Sequence, residues 1–111
     1  MNKIKVFIID TVEKEVKVQE IENELEGFYS ALHCDLVEIH PVWIENGQYL
    51  IVMDEEGLFK DPLIPSIRIK GKPFVYGSVF ICTEDYDELS GITDADAEML
   101  KSKVHGGCLW L

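Results

Sequence analysis

The chain opens on Ile4-Lys5-Val6-Phe7-Ile8-Ile9, apolar at nearly every position and rich in β-branched residues. Strand side chains alternate between faces, so a run that is apolar at both parities predicts a strand buried on both sides, inside a sheet. Residues 10–14, DTVEK, read as a turn. Val16 and Val18 then alternate with charged neighbours, which predicts a half-exposed second strand, antiparallel to the first. Leu25, Phe28, Tyr29 and Leu32 recur at the spacing of one helical stripe. Asn23 is the expected cap of that helix, with Glu26 three residues on as the reciprocal partner. Gly27 lies inside it, at a cost of about 1 kcal/mol relative to alanine.

Asn46-Gly47 is the pair that a two-residue type I′ hairpin turn requires. Centring the turn there sets Glu45 opposite Gln48, Ile44 opposite Tyr49 and Trp43 opposite Leu50. Pro41 has no amide hydrogen to give a ladder, so its strand belongs at an edge or a bulge. Residues 54–61, DEEGLFKD, follow directly. Gly57 suits a tight turn, Asp54 can cap amides within it, and Leu58 and Phe59 are expected to fold back under the sheet. Residues 66–70, SIRIK, predict a short strand, residues 71–73 a turn, and residues 77–82, GSVFIC, a central strand. A last helix begins at Thr93, with Asp96 at the capping-box position and Ala97, Leu100 and Val104 on its inner face. Gly106-Gly107 is expected to stop it. The order, roughly ββαββ(β)βα, predicts an α+β fold: a mostly antiparallel sheet of about five strands with two helices on one face. Residues 1–104 form one domain, and 105–111 a C-terminal tail that docks or frays.

Charge changes this picture more than composition does. Ten Lys and Arg stand against 21 Asp and Glu, a net of −11. Duplex nucleic acid is excluded as a direct partner, because a phosphate footprint needs a basic face. The acids cluster: residues 84–98 hold seven and no base, and residues 13–26 hold six against Lys14 and Lys17. The plain reading is a solvated surface that keeps the protein soluble. The functional reading is a face for a basic partner, with Glu22, Glu24, Glu26, Asp85, Asp87 and Glu88 as its candidate residues. Its sharpest form is a DNA mimic, in which carboxylates occupy sites evolved for phosphates. The opening apolar run is too short for a signal-peptide core, and no run is long enough to span a membrane, so a cytoplasmic location is expected.

DEEGLFKD, then GSVFIC about twenty residues on, then LSGITDAD opening a helix, resemble in their order a family of small acidic proteins. That family is carried by bacteriophages and conjugative elements, mainly of Gram-positive bacteria, and is classed as a domain of unknown function. The resemblance covers roughly Lys3 to Val104. It implies a setting among accessory genes of mobile DNA, hence a basic host or element protein as partner and an anti-defence role, and it implies no activity, cofactor or substrate.

The chemistry-bearing residues point away from catalysis. Asp54, Glu55 and Glu56 are consecutive and would alternate sides, which suits a charged turn better than a hard-cation site. His33, Cys34 and His40 lack the spacing of a zinc site, even with Cys82 or His105 as a fourth ligand. The odd count of three widely spaced cysteines opposes a disulfide framework. No nucleophile–base pair, metal motif or phosphate loop is present, so no enzyme activity and no cofactor are expected. The alternative to protein binding is an anionic-ligand or nucleotide binder, or sponge, built on Arg68, Lys70 and Lys72. On a continuing strand these three share one face, with Phe74 and Tyr76 near enough to stack a base. Their plain reading is a salt-bridged edge that deters sheet pairing. A flat domain of this size would need a homo-oligomer to enclose a small ligand.

Overall fold

A strand apolar on both faces needs cover on both faces, and the fold is built around that requirement. The computed structural model describes residues 2–111. Strand β1 (Lys3–Asp10) pairs antiparallel with β2 (Glu15–Glu22). Helix α1 (Leu25–Leu32) follows, then a hairpin of β3 (Val37–Ile44) and β4 (Gly47–Asp54). A single 3-10 turn (Gly57–Phe59) leads to β5 (Pro65–Arg68) and β6 (Val75–Tyr76). Then come β7 (Val79–Asp85), β8 (Glu88–Ser90), helix α2 (Asp94–Lys101), β9 (Val104–His105) and β10 (Cys108–Trp110). The main sheet is antiparallel in the order β2-β1-β7-β4-β3, with β8 added on β7. The protein is therefore α+β, as its pattern predicts, and the expected central strand is present, running over Val79–Asp85 rather than residues 77–82.

The two helices lie on opposite faces of that sheet, a correction to the expectation of one shared face. Val6, Ile8, Phe80 and Val52 point to one side, where Phe28 and Leu32 of α1 pack on them. The rings of Phe28 and Phe80 meet with centroids 5.4 Å apart. Phe7, Ile9, Ile51, Val79 and Ile81 point to the other side, against Ala97 and Leu100 of α2. The second side is also covered by a small sheet of order β6-β5-β10-β9, through Ile67 and Leu109. The two-sided apolar code of β1 and β7 dictates this, since one exposed face would leave five large side chains in water.

The end of the chain docks. β10 runs parallel to β5, pairing Leu109 with Ile67 and Trp110 with Arg68, and antiparallel to β9. Gly106 and Gly107, with φ of 61° and 76°, turn that hairpin rather than stopping α2, which ends at Lys101. Tyr86 and Asp87, at φ 50° and 68°, make a similar turn inside the acidic run and create β8.

Two further expectations shift. The β3–β4 turn is centred one residue earlier, on Glu45-Asn46, so Ile44 faces Gly47 and Val42 faces Tyr49. That moves each partner by two positions, so side-chain parity and the buried face are unchanged. Helix α1 is capped by Glu24 without a side-chain bond, because the Asn23 amide donates instead to the Leu89 carbonyl at 3.0 Å. Gly27 is required there: a Cβ would fall inside the contact distance of the Glu22 carbonyl oxygen. In α2 the expected capping box of Thr93 and Asp96 is present.

Candidate functional site

The bend that carries the chain from β2 back over the sheet as α1 leaves a groove between them of about 510 Å³. Its rim carries Glu13, Glu15, Glu20, Glu22, Glu24 and Glu26, with Asp10 at one end, against Lys17 and His33. β2 is an edge strand, so its charged side chains need no partner strand to cover them. The second acidic group stands beside this one. Asp85 and Glu88 line a cleft with Lys3 and Lys5, and Asp87 sits in the exposed turn next to Tyr86. The Asn23–Leu89 bond ties the start of α1 to β8, and Lys3 reaches Glu22 at 4.0 Å. The two acidic groups thus lie at the same end of the sheet but line separate clefts, with Lys3 reaching Glu22 and Lys5 paired to Asp94 of α2.

At the opposite end of the strands lies a polar corner of which the sequence pattern reveals only the capping role of Asp54. Asp10 closes β1 and is buried; its Oδ1 accepts the amides of Val12 and Glu13 at 3.0 and 2.9 Å. Its Oδ2 accepts Nε2–H of His33 at 3.0 Å. Burial pushes the Asp10 carboxyl up, but the Glu13 amide, His33 and the Val12 amide together hold it below the usual aspartate range. Asp54 closes β4 in the same way, its Oδ1 accepting the Glu56 amide at 2.9 Å, with Lys60 Nζ 3.6 Å from Oδ2. Ser78 joins the two corners: its Oγ accepts the Thr11 amide, and its carbonyl accepts the Asp54 amide. DEEGLFKD is therefore a buttressed turn. Gly57 is needed because a Cβ would strike the Tyr76 carbonyl oxygen. Leu58 and Phe59 do not fold under the sheet but are exposed, Phe59 at 84%, because the 3-10 turn directs the chain along β6.

The basic residues take a different form from the one expected. β5 ends at Arg68, so Lys70 and Lys72 lie in the following turn and not on a shared strand face. The turn is closed by Lys72 N–H, which donates to the Ile69 carbonyl, while the bonds of Leu111 with Arg68 and Lys70 hold the chain end beside it. In place of a carboxylate, Arg68 has two aromatic rings. Its guanidinium carbon lies 5.1 Å from the centroid of Phe74 and 5.3 Å from that of Trp110.

The thiols are free and held neutral. Burial first, then the Glu84 charge, pushes Cys82 up to about 12. Burial and the Asp54 charge raise Cys34 to about 11. His40 is bonded to Glu38 at 2.8 Å, away from His33. Among the described residues no three His, Cys, Asp or Glu side chains gather as a metal would need, and no helix is long and apolar enough to cross a membrane.

An acidic α+β body whose polar corners are occupied by its own turns defines a class by architecture alone. The chain belongs to the family described as "Domain of unknown function (DUF3846)", which it matches over residues 4–105. No curated protein and no solved structure matches it.

Proposed function

We propose that this protein is a non-catalytic interaction module that presents the groove between β2 and α1, together with the neighbouring β7–β8 turn, to a basic partner protein. The observation that carries this reading is the ring of six glutamates and Asp10 around one groove, faced there by Lys17 and His33. Carboxylates held on a strand and a short helix are prepositioned, so a cationic partner gains long-range attraction without ordering the acidic face. The partner is a host or mobile-element protein in the cytoplasm, and competition with nucleic-acid phosphate is the sharpest form the mechanism takes. The setting rests on the motif resemblance to phage and conjugative-element proteins.

The test is capture from host lysate at low and high salt, comparing the native chain with a Glu22→Lys, Glu24→Lys, Glu26→Lys variant. The expected result is a protein retained at low salt, released at high salt, and absent with the variant. Retention that ignores both salt and charge reversal rejects the reading.

A further inference from the structure

The small sheet that covers one side of the main sheet holds no acidic residue of its own, although α2 on the same side carries Asp94, Asp96 and Glu98. The acidic groove lies on the side covered by α1, since its lining includes Gly27, Ser30 and Ala31. The small sheet covers the other side. Of the protein's 21 acids, none lies in residues 62–83 or 99–111, the two stretches that contain all four strands of the small sheet. Those stretches carry Arg68, Lys70, Lys72, Lys101 and Lys103. Lys101 and Lys103 are paired, with Glu98 and Glu45. Among the described residues Arg68, Lys70 and Lys72 have no carboxylate within salt-bridge distance, and all three are exposed.

The arrangement around Arg68 is specific. Ile67 and Leu109 turn inward and are fully buried, so their neighbours Arg68 and Trp110, paired across β5 and β10, turn outward. Trp110 is 44% exposed, and its Nε1–H donates to the His105 carbonyl at 3.2 Å, which fixes the ring. Phe74 flanks the guanidinium on the other side, and its ring meets Tyr76 with centroids 6.1 Å apart. The result is an oriented row of aromatic rings and a cation, bordered by two free ammonium groups. Aromatic faces take bases, and cations beside them take the phosphates between bases. The face is a sheet surface and not a cleft, which disfavours a lone small molecule that needs enclosure. Three cations on a chain of net charge −11 are too few for a duplex footprint.

We propose that the outer face of the small sheet, Arg68 between Phe74 and Trp110 with Lys70 and Lys72 beside it, is a docking platform for single-stranded nucleic acid. The platform is independent of the groove and its basic partner.

The experiment is fluorescence titration of a Trp43→Phe variant, in which Trp110 is the remaining tryptophan. A short oligothymidylate at low ionic strength is expected to quench it saturably, with weaker binding as salt rises. Lys70→Glu with Lys72→Glu is expected to weaken binding roughly tenfold or more, consistent with the loss of phosphate contacts. Both lysines lie in an exposed turn, so the double variant keeps the fold, and its circular dichroism checks this. Absence of quenching by the oligonucleotide overturns the proposal. So does equal binding of polyphosphate or polyglutamate, which would show charge attraction without base stacking.

Discussion

His33, held at φ 55° just past the end of α1, donates from Nε2 to Oδ2 of the buried Asp10 at 3.0 Å. This bond closes α1 onto the end of β1, and the carboxylate it reaches also binds two turn amides. Asp10→Ala leaves the Val12 and Glu13 amides and the imidazole without their acceptor. The expected loss is about 2–3 kcal/mol, read from urea unfolding midpoints. Because the folded state holds this carboxyl below its ordinary value, its stabilisation is present at neutral pH. It is lost as pH falls through that lowered value. Asp10→Asn should therefore be less stable than the native protein at pH 7 and show a shallower loss of stability in acid. An unchanged acid limb would count against the role given to Asp10.

Tyr49 and Asp96 form the second such link, between β4 and the first turn of α2. The phenol donates to Asp96 Oδ1 at 2.6 Å, while Oδ2 accepts the Thr93 amide. Burial, then the bond and charge of Asp96, raise the Tyr49 hydroxyl to about 12. The neutral phenol is the bonded form, so its stabilisation is complete below the ordinary tyrosine value of 10.0. It is lost as pH rises through about 12. A double-mutant cycle of Tyr49→Phe with Asp96→Asn is expected to return a coupling of about 1–2 kcal/mol. Phenolate absorbance should show one tyrosine titrating late, and Tyr49→Phe should remove it.

Gly27→Ala tests whether close packing outweighs helix propensity. Propensity alone favours alanine by about 1 kcal/mol. The Glu22 carbonyl oxygen occupies the place of the new methyl group, and backbone cannot swing aside as a long side chain does. A net destabilisation of about 1–3 kcal/mol is expected from thermal or urea unfolding. A stabilised variant would mean that α1 does not sit this close to β2.

Two of the three thiols should separate by accessibility. Cys82 is fully buried in the centre of the sheet, with its thiol pushed up to about 12, and is expected to resist a thiol reagent until the protein unfolds. Cys34 is only half-buried and should react slowly in the native state. Rapid modification of Cys82 under native conditions would contradict the packing around Phe80.

Long periodic segments were legible because burial writes itself directly into residue type. β1, the central β7, the edge position of β3 implied by Pro41 and the capping box of α2 all follow from local chemistry. The placement of the helices was legible in principle. A strand apolar at both parities already requires two covered faces, yet each helix taken singly shows only that it has one apolar stripe. The small sheet was not legible, since β6, β9 and β10 have two or three residues each and take their meaning from pairing. The acidic residues were visible as runs, but that both runs fall at the same end of the sheet follows only from the pairing of β2 and β7 with β1. Asp54 was expected to cap amides of its turn and does so, but Asp10, His33 and Ser78 were the hardest to see. Their only signal is an aspartate closing an apolar strand, and their partners are far away in sequence.

The strand order carries a consequence for how the protein is made. β1–β2 and β3–β4 are hairpins that each form from neighbouring residues, but β7, Val79–Asp85, is the wedge that joins them. A nascent chain that has not yet supplied this segment holds two half-sheets, each with a bare inner rim of unpaired amides and greasy flanks. Such rims recruit strands from other molecules. The interval between synthesis of β4 and arrival of β7 is thus when this chain most needs dilution or a chaperone.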